Sequence, residues 1–234
     1  MQYAKKLLFV LGVGLGMLCG ITACSKSDGN SPAASSPTAN ISGAADKSSV
    51  AAIKENALTK ANSDASHPEV LLDTSFGKIT ITLDAEKTQQ TVHNFLSYVN
   101  DGHYSDTIVH QVYPGVSVVA GGYGKDLVER PTHLMSVRNE AEKGSKNLRG
   151  TVAMVRFPDN ADSATSQFFF NVCDNPSLDF RDTTPEGYGY CVFGTVTDGM
   201  DVVDKIAQSK VHDTSVFESA PEEPILIKSA KQIR

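Results

Sequence analysis

The sequence has no cluster of basic residues, no apolar run long enough to cross a bilayer comfortably, and no pair of cysteines or histidines at metal-ligand spacing. Each absence removes a class of function. Without basic clusters, and with a formal net charge of −6, the surface suits neither nucleic acid nor electrostatic docking to anionic lipid. Four cysteines are present, none in a CxxC, and His67, His93, His103, His110, His133 and His212 show no ligand or triad spacing, so no metal, redox centre or cofactor is expected. Gly121-Gly122-Tyr123-Gly124-Lys125 is glycine-rich, but it lacks the strand–loop–helix setting of a phosphate loop and reads as a turn.

The longest apolar run, Leu7 to Leu18, follows Lys5 and Lys6 and has the length of a signal-peptide core rather than of a membrane span. It closes on Ile21-Thr22-Ala23-Cys24, which resembles a bacterial lipobox. That resemblance implies that residues 1–23 are a leader and that Cys24 becomes a lipidated N-terminus. The alternative is an ordinary secretory leader with an incidental cysteine. More than one acyl chain holds a protein stably where a single chain binds marginally. Ser25, not aspartate, follows the cysteine, which in such lipoproteins implies the outer membrane of the cell envelope, facing the periplasm. Loss of Lys5 and Lys6 would take the net charge from −6 to −8, so the lipid rather than the charge would do the anchoring.

Residues 24–67 are rich in Ser, Ala, Asn, Asp, Gly and Pro and poor in large apolar residues. Such a stretch cannot bury enough surface to offset its ordering entropy and is expected to be a flexible tether. At roughly 5–6 Å times the square root of its length, it would hold the following domain about 35 Å from the membrane. With Cys19 in the leader and Cys24 lipidated, Cys173 and Cys191 remain. An oxidising compartment favours a disulfide between them; the alternative is two buried thiols acting as small apolar groups.

Residues 68–234 read as one mainly β domain, expected to be monomeric. Val70–Asp73 and Lys78–Leu83 flank Ser75-Phe76-Gly77 as a hairpin. Further strands fit 107–112, 116–120, 151–156, 167–172, 191–196 and 225–231. Val92, Phe95, Leu96 and Val99 fall at i, i+3, i+4 and i+7, with Gly102 as the stop, and Met200, Val203 and Ile206 form a shorter helical face. Many strands with two helices argue for a closed antiparallel barrel with a helix at each open end.

One run carries most of the functional signal. In Asp162 to Asn171 small hydroxyl residues lead into Gln167 and then Phe168-Phe169-Phe170, placing an amide beside a ring at the mouth of a core. With it stand Val109-His110-Gln111-Val112-Tyr113-Pro114-Gly115, Gly121-Gly122, Asn139-Glu140-Ala141, Arg149 to Met154, Leu178-Asp179 and Tyr190 to Gly194. In this order and spacing the segments resemble a bacterial cyclophilin, a peptidyl-prolyl cis-trans isomerase, from about Val70 to Ile233. The resemblance implies an eight-stranded barrel capped by two α-helices, with a substrate groove on its outer face and no cofactor.

Prolyl isomerisation works against loss of amide resonance, a barrier close to about 20 kcal/mol. It needs an apolar pocket for the proline ring and a donor aimed at the proline nitrogen. The family supplies that donor from an arginine; the matching residue here is Gln111, an uncharged donor of about half the strength. The resemblance assigns the groove to His110, Val116, Ser117, Val119, Val155, Arg156, Gln167, Phe169, Leu178 and Tyr190. His110 is implied to support the groove without transferring protons, and Phe169 to contact the proline. Val116, Ser117 and Val119 replace a phenylalanine, a methionine and a glutamine, and Ser177 stands where an aromatic is common. The resulting expectation is an isomerase of Xaa-Pro bonds in envelope polypeptides, slowed by Gln111, with Arg156 as a substitute donor. A non-catalytic proline-peptide-binding or chaperone-like lipoprotein, or a scaffold with a vestigial groove, are the alternatives.

Overall fold

The computed structural model describes residues 66–234. The leader 1–23, the lipidation of Cys24 and nearly all of the tether therefore lie outside the described residues. In chain order the elements are β1 (Glu69–Thr74), β2 (Gly77–Leu83), α1 (Gln89–Asn100), β3 (Thr107–Tyr113), β4 (Ser117–Gly124), β5 (Thr151–Met154), β6 (Phe168–Asn171), β7 (Val192–Asp198), α2 (Met200–Ala207), β8 (Val211–His212), β9 (Ala220–Pro221) and β10 (Ile225–Gln232). Eight strands close a barrel in the order β1-β10-β3-β4-β6-β5-β7-β2, every neighbouring pair antiparallel. This is the architecture the sequence pattern argued for. The short pair β8–β9 was not expected; two-residue strands carry too few alternations to be legible.

β1 and β2 alternate because only one of their faces meets the core: Val70, Leu72, Ile79, Ile81 and Leu83 point inward. At their turn the Thr74 hydroxyl accepts from the amides of Phe76 and Gly77 and donates to the Gly77 carbonyl. α1 buries Val92, Phe95 and Val99 as its spacing predicts, and Tyr98 as well. Inside the barrel Phe95 meets the edge of Phe168 at 5.5 Å, and the Tyr104 hydroxyl donates to the Ser166 carbonyl at 2.8 Å. These large rings dominate the core by area removed from water.

β3, β4, β5 and β6 differ from β1 and β2 in being buried along nearly their whole length. Their inner residues join the barrel core, and a second apolar cluster covers their outer face. Several boundaries shift from expectation, most of all in β4, which runs on to Gly124 through the glycines that read as a turn. Val116 closes the turn from Tyr113, its amide donating to the Tyr113 carbonyl at 2.9 Å, so β4 begins at Ser117. β5 ends at Met154 because Arg156 leaves the ladder to bond loop carbonyls.

The expected disulfide between Cys173 and Cys191 is not formed. The carbonyl of Cys191 accepts from Met154, at one end of β5, while Asn171, two residues before Cys173, bonds Gly150 just beyond the other end. Four residues of strand separate those levels, about 13 Å, far beyond the roughly 7 Å a disulfide spans. Cys191 instead sits buried near the Thr91 hydroxyl, at 3.5 Å, and burial pushes its pKa up to about 12, so the thiol is inert.

Candidate active site

A bulge in β3 sets up the site. Val109 opposes Ala120 and Gln111 opposes Val119, so β3 advances two residues for one of β4. Val109 and Val112, three apart rather than two, both enter the barrel core. His110 and Gln111 fall between them and stay outside that cluster. From Gln111 a row then crosses the sheet: Gln111 opposes Val119, Val119 opposes Phe169, and Phe169 opposes Ala153. Opposed residues share a face, and at about 4.8 Å per strand Gln111 stands roughly 10 Å from Phe169. Register thus puts the expected donor position and the expected proline floor on one outer face.

Val119, Ala153, Val155, Phe169, Leu178 and Val192 form the second apolar cluster there, with Tyr113 and Tyr190 packed against it. Phe169 has no exposed surface, 0%, and Tyr190 meets it edge-on at 5.7 Å. The floor is therefore covered by the protein's own side chains. Tyr113 was not among the expected site residues; it stood just beyond the strand expected over 107–112, whereas β3 includes it. Its hydroxyl accepts from the Gln111 side-chain amide at 3.1 Å, and the same amide donates to the Glu218 carbonyl at 3.3 Å. Burial and then the negative Glu218 push the Tyr113 phenol up to about 12, and burial raises Tyr190 too, so both phenols are neutral at ordinary pH.

The far wall rests on an asparagine network that the sequence reading missed. Asn171 donates to Asn147 and Thr151 at 3.2 and 2.9 Å. It accepts from Asn175 at 2.7 Å, and Asn175 also donates to the Val116 carbonyl. Asn147 in turn donates to the carbonyls of Leu178 and Tyr190 at 3.0 and 3.3 Å. Leu178, on a 3₁₀ turn from Pro176 to Leu178, and Tyr190 are held against the Phe169 cluster by this web. A signal existed: Gln167, Phe169 and Asn171 share one face by alternation, so Asn171 had to point at the groove side.

Gly122 leaves room for the Gln167 side chain beside His110. A Cβ on Gly122 would lie 2.5 Å from the Gln167 Cγ and Cδ, so any side chain there would displace the amide. The Gln167 Oε1 is buried beside His110, with no hydrogen bond of good geometry. His110 does not join the cluster. It packs against Tyr123 at 4.8 Å and Phe217 at 5.3 Å, its ring nitrogens without a hydrogen bond of good geometry. Burial lowers its pKa to about 3, with Ile108 and Gln167 pulling weakly the other way. A neutral, enclosed imidazole of this kind packs and does not shuttle protons.

Val116 and Ser117 sit beside the row rather than in it. Ser117 opposes Tyr113 on one side and Asn171 on the other, 1% exposed, its hydroxyl unpartnered. Arg156 is a correction to expectation. Its guanidinium donates to the carbonyls of Gly189, Phe157, Pro158 and Pro185, leaving one of its five N–H groups outside these bonds. It is not placed as a substitute donor. Among the described residues no group of three or more His, Cys, Asp or Glu side chains could hold a metal ion. The site offers an apolar floor flanked by neutral amides and phenols.

Comparison with known proteins bears on the fold and the family. Residues 69–232 match the family model described as cyclophilin type peptidyl-prolyl cis-trans isomerase/CLD. The chain is 46% identical over 165 residues to peptidyl-prolyl cis-trans isomerase A of Dickeya dadantii (strain 3937), covering 70% of this chain and 84% of that one. It is 41% identical over 160 residues to peptidyl-prolyl cis-trans isomerase B of Escherichia coli (strain K12), covering 68% and 96%. In fold it is similar to a Cryptosporidium parvum cyclophilin type isomerase crystallised in the presence of the dipeptide Ala-Pro, with a TM-score of 0.59 at 21% identity, over 71% of this chain and 99% of that one. Family model, relatives and fold agree: the chain belongs to the cyclophilin-type peptidyl-prolyl cis-trans isomerase family.

Proposed function

We propose that the protein isomerises Xaa-Pro bonds in polypeptides of the cell envelope, more slowly than relatives that carry an arginine at the position of Gln111. The observation that carries this reading is the Gln111 amide, at 3.1 Å from the Tyr113 hydroxyl and 3.3 Å from the Glu218 carbonyl. In the twisted amide the proline nitrogen regains its lone pair and needs a donor. Gln111 must give up a partner to supply one, and supplies it without charge. Removal of a well-placed donor costs about 10²–10³ in rate elsewhere, and a neutral donor holds about half the strength of a charged one. The proline ring would rest on Phe169, between Leu178 and Tyr190. For it to enter, the cover of Tyr113 and Tyr190 must part.

The anchor follows from Ile21 to Cys24, with the chain held to the outer membrane and its domain in the periplasm as a monomer. Mass spectrometry of the protein from envelope fractions should find lipid on Cys24; an unmodified cysteine or cleavage elsewhere would end that part of the reading. The catalytic part is tested by a prolyl-isomerisation assay on wild type and Gln111→Arg. The variant should gain up to about 10² in kcat/KM. A wild-type rate equal to that of arginine-bearing relatives would refute the slowing. Measurable peptide binding with no catalysis in either form would favour the second reading, a proline-peptide-binding module, which the engaged Gln111 amide also supports.

A further inference from the structure

Arg156 is 5% exposed, yet its partners are four carbonyls and a ring rather than a carboxylate. Nε donates to Gly189 at 2.7 Å, one terminal nitrogen to Phe157 and Pro158 at 2.8 and 3.1 Å, and the other to Pro185 at 2.7 Å. The guanidinium carbon lies 4.9 Å from the centre of the Tyr190 ring. One planar cation therefore ties the segment after β5 to the loop that ends at Tyr190. Gly189 is the focus of that tie. Its carbonyl also accepts from Asn139 Nδ2 at 3.1 Å, and a Cβ there would lie 2.6 Å from the backbone of Asp179 and Phe180. The Tyr190 amide then donates to the Leu178 carbonyl at 2.9 Å, and its ring meets Phe169.

We propose that Arg156 is a positioning residue for substrate: it fixes the loop at Gly189 and the Tyr190 ring above Phe169, and so sets how readily the proline floor opens. The inference rests on the placement of the proline on Phe169 proposed above. Only a flat fork with five donors meets carbonyls from two loops and a ring face together; a lysine has a point charge and three donors.

The test measures KM, kcat and thermal midpoint of the full chain with a chromogenic Ala-Ala-Pro-Phe anilide. Arg156→Lys is made in the wild-type, Tyr190→Phe and Tyr190→Ala backgrounds. A clamp acting through the ring raises KM about fivefold or more in the first two, where the ring is present, and leaves KM nearly unchanged in Tyr190→Ala, an ordinary coupling between contacting residues. The loss of thermal midpoint should be similar in all three. An equal KM effect in every background, or none in wild type, would overturn the clamp and leave Arg156 a purely structural residue. If Arg156→Lys fails to fold, Asn139→Ala removes the second donor to the Gly189 carbonyl and is read by the same comparison, with a smaller rise in KM. An unchanged KM in Phe169→Ala would instead overturn the placement of the proline, and with it any role of the clamp in binding.

Discussion

The two walls of the groove are built differently. The wall from β5, β6 and the loop to Tyr190 is held by redundant polar contacts: Asn147, Asn171 and Asn175 bond one another and two loop carbonyls, and Arg156 bonds four more. The wall from β3 and β4 has small apolar residues, a buried serine hydroxyl with no partner, and a single amide shared between Tyr113 and Glu218. One wall is over-determined and the other under-determined. The first suits gripping a proline ring in a fixed place. The second carries Gln111, a neutral amide, at the place of the donor proposed above, already engaged by Tyr113 and Glu218.

The contrast can be broken most decisively at the floor. Phe169→Ala should cost about 3–5 kcal/mol of stability, the range for emptying a buried aromatic site, and abolish peptide binding. Urea unfolding with a tetrapeptide titration checks both, and retained binding would show that the ring is not the floor. Next comes the supporting network. Asn171→Ala leaves an Asn175 donor and an Asn147 acceptor buried without their partner, which should cost about 2–3 kcal/mol and raise KM as Leu178 and Tyr190 loosen. A loss under about 0.5 kcal/mol by denaturant midpoint would show that the asparagine network does not hold this wall.

A smaller effect distinguishes the packing histidine beside the weak wall. His110 is held near a pKa of about 3 against 6.5 when free, so the native state excludes a proton that the unfolded chain binds. Its contribution is fully present above pH 6.5 and declines as the pH falls towards 3, at on the order of 1.4 kcal/mol per pH unit. His110→Phe should therefore lose less stability than wild type between about pH 6 and about pH 4.5, and parallel curves would contradict the enclosed neutral ring. The smallest change belongs to the weak wall itself. Ser117→Ala removes a buried hydroxyl that makes no hydrogen bond and should be neutral or stabilising by up to about 1 kcal/mol. Destabilisation beyond that, in the same urea titration, would mean the hydroxyl has a partner after all.

Much of the molecule was legible along the chain. Alternation at Val70–Asp73 and Ile79–Leu83, the i, i+3, i+4 spacing of Val92, Phe95 and Leu96, and the Gln167–Phe169 pair in the strand that follows a polar loop are local patterns, and local patterns report which face of an element is apolar. They determined the mainly β barrel, its two helices and the groove strand. What the chain alone left open depends on what lies opposite. The bulge at His110 decides that Gln111 shares a row with Phe169, and only the pairing of β3 with β4 creates it. Arg156 looked like a donor for the groove until the loop ending at Gly189 folded over it. Cys173 and Cys191 looked like partners until β5 set its length between them. Tyr113 and the three asparagines became site residues because strands and loops distant in sequence brought their polar ends together. Periodicity is a property of one segment, whereas register, hydrogen-bond partners and reach belong to pairs of segments, and those are settled only when the barrel closes.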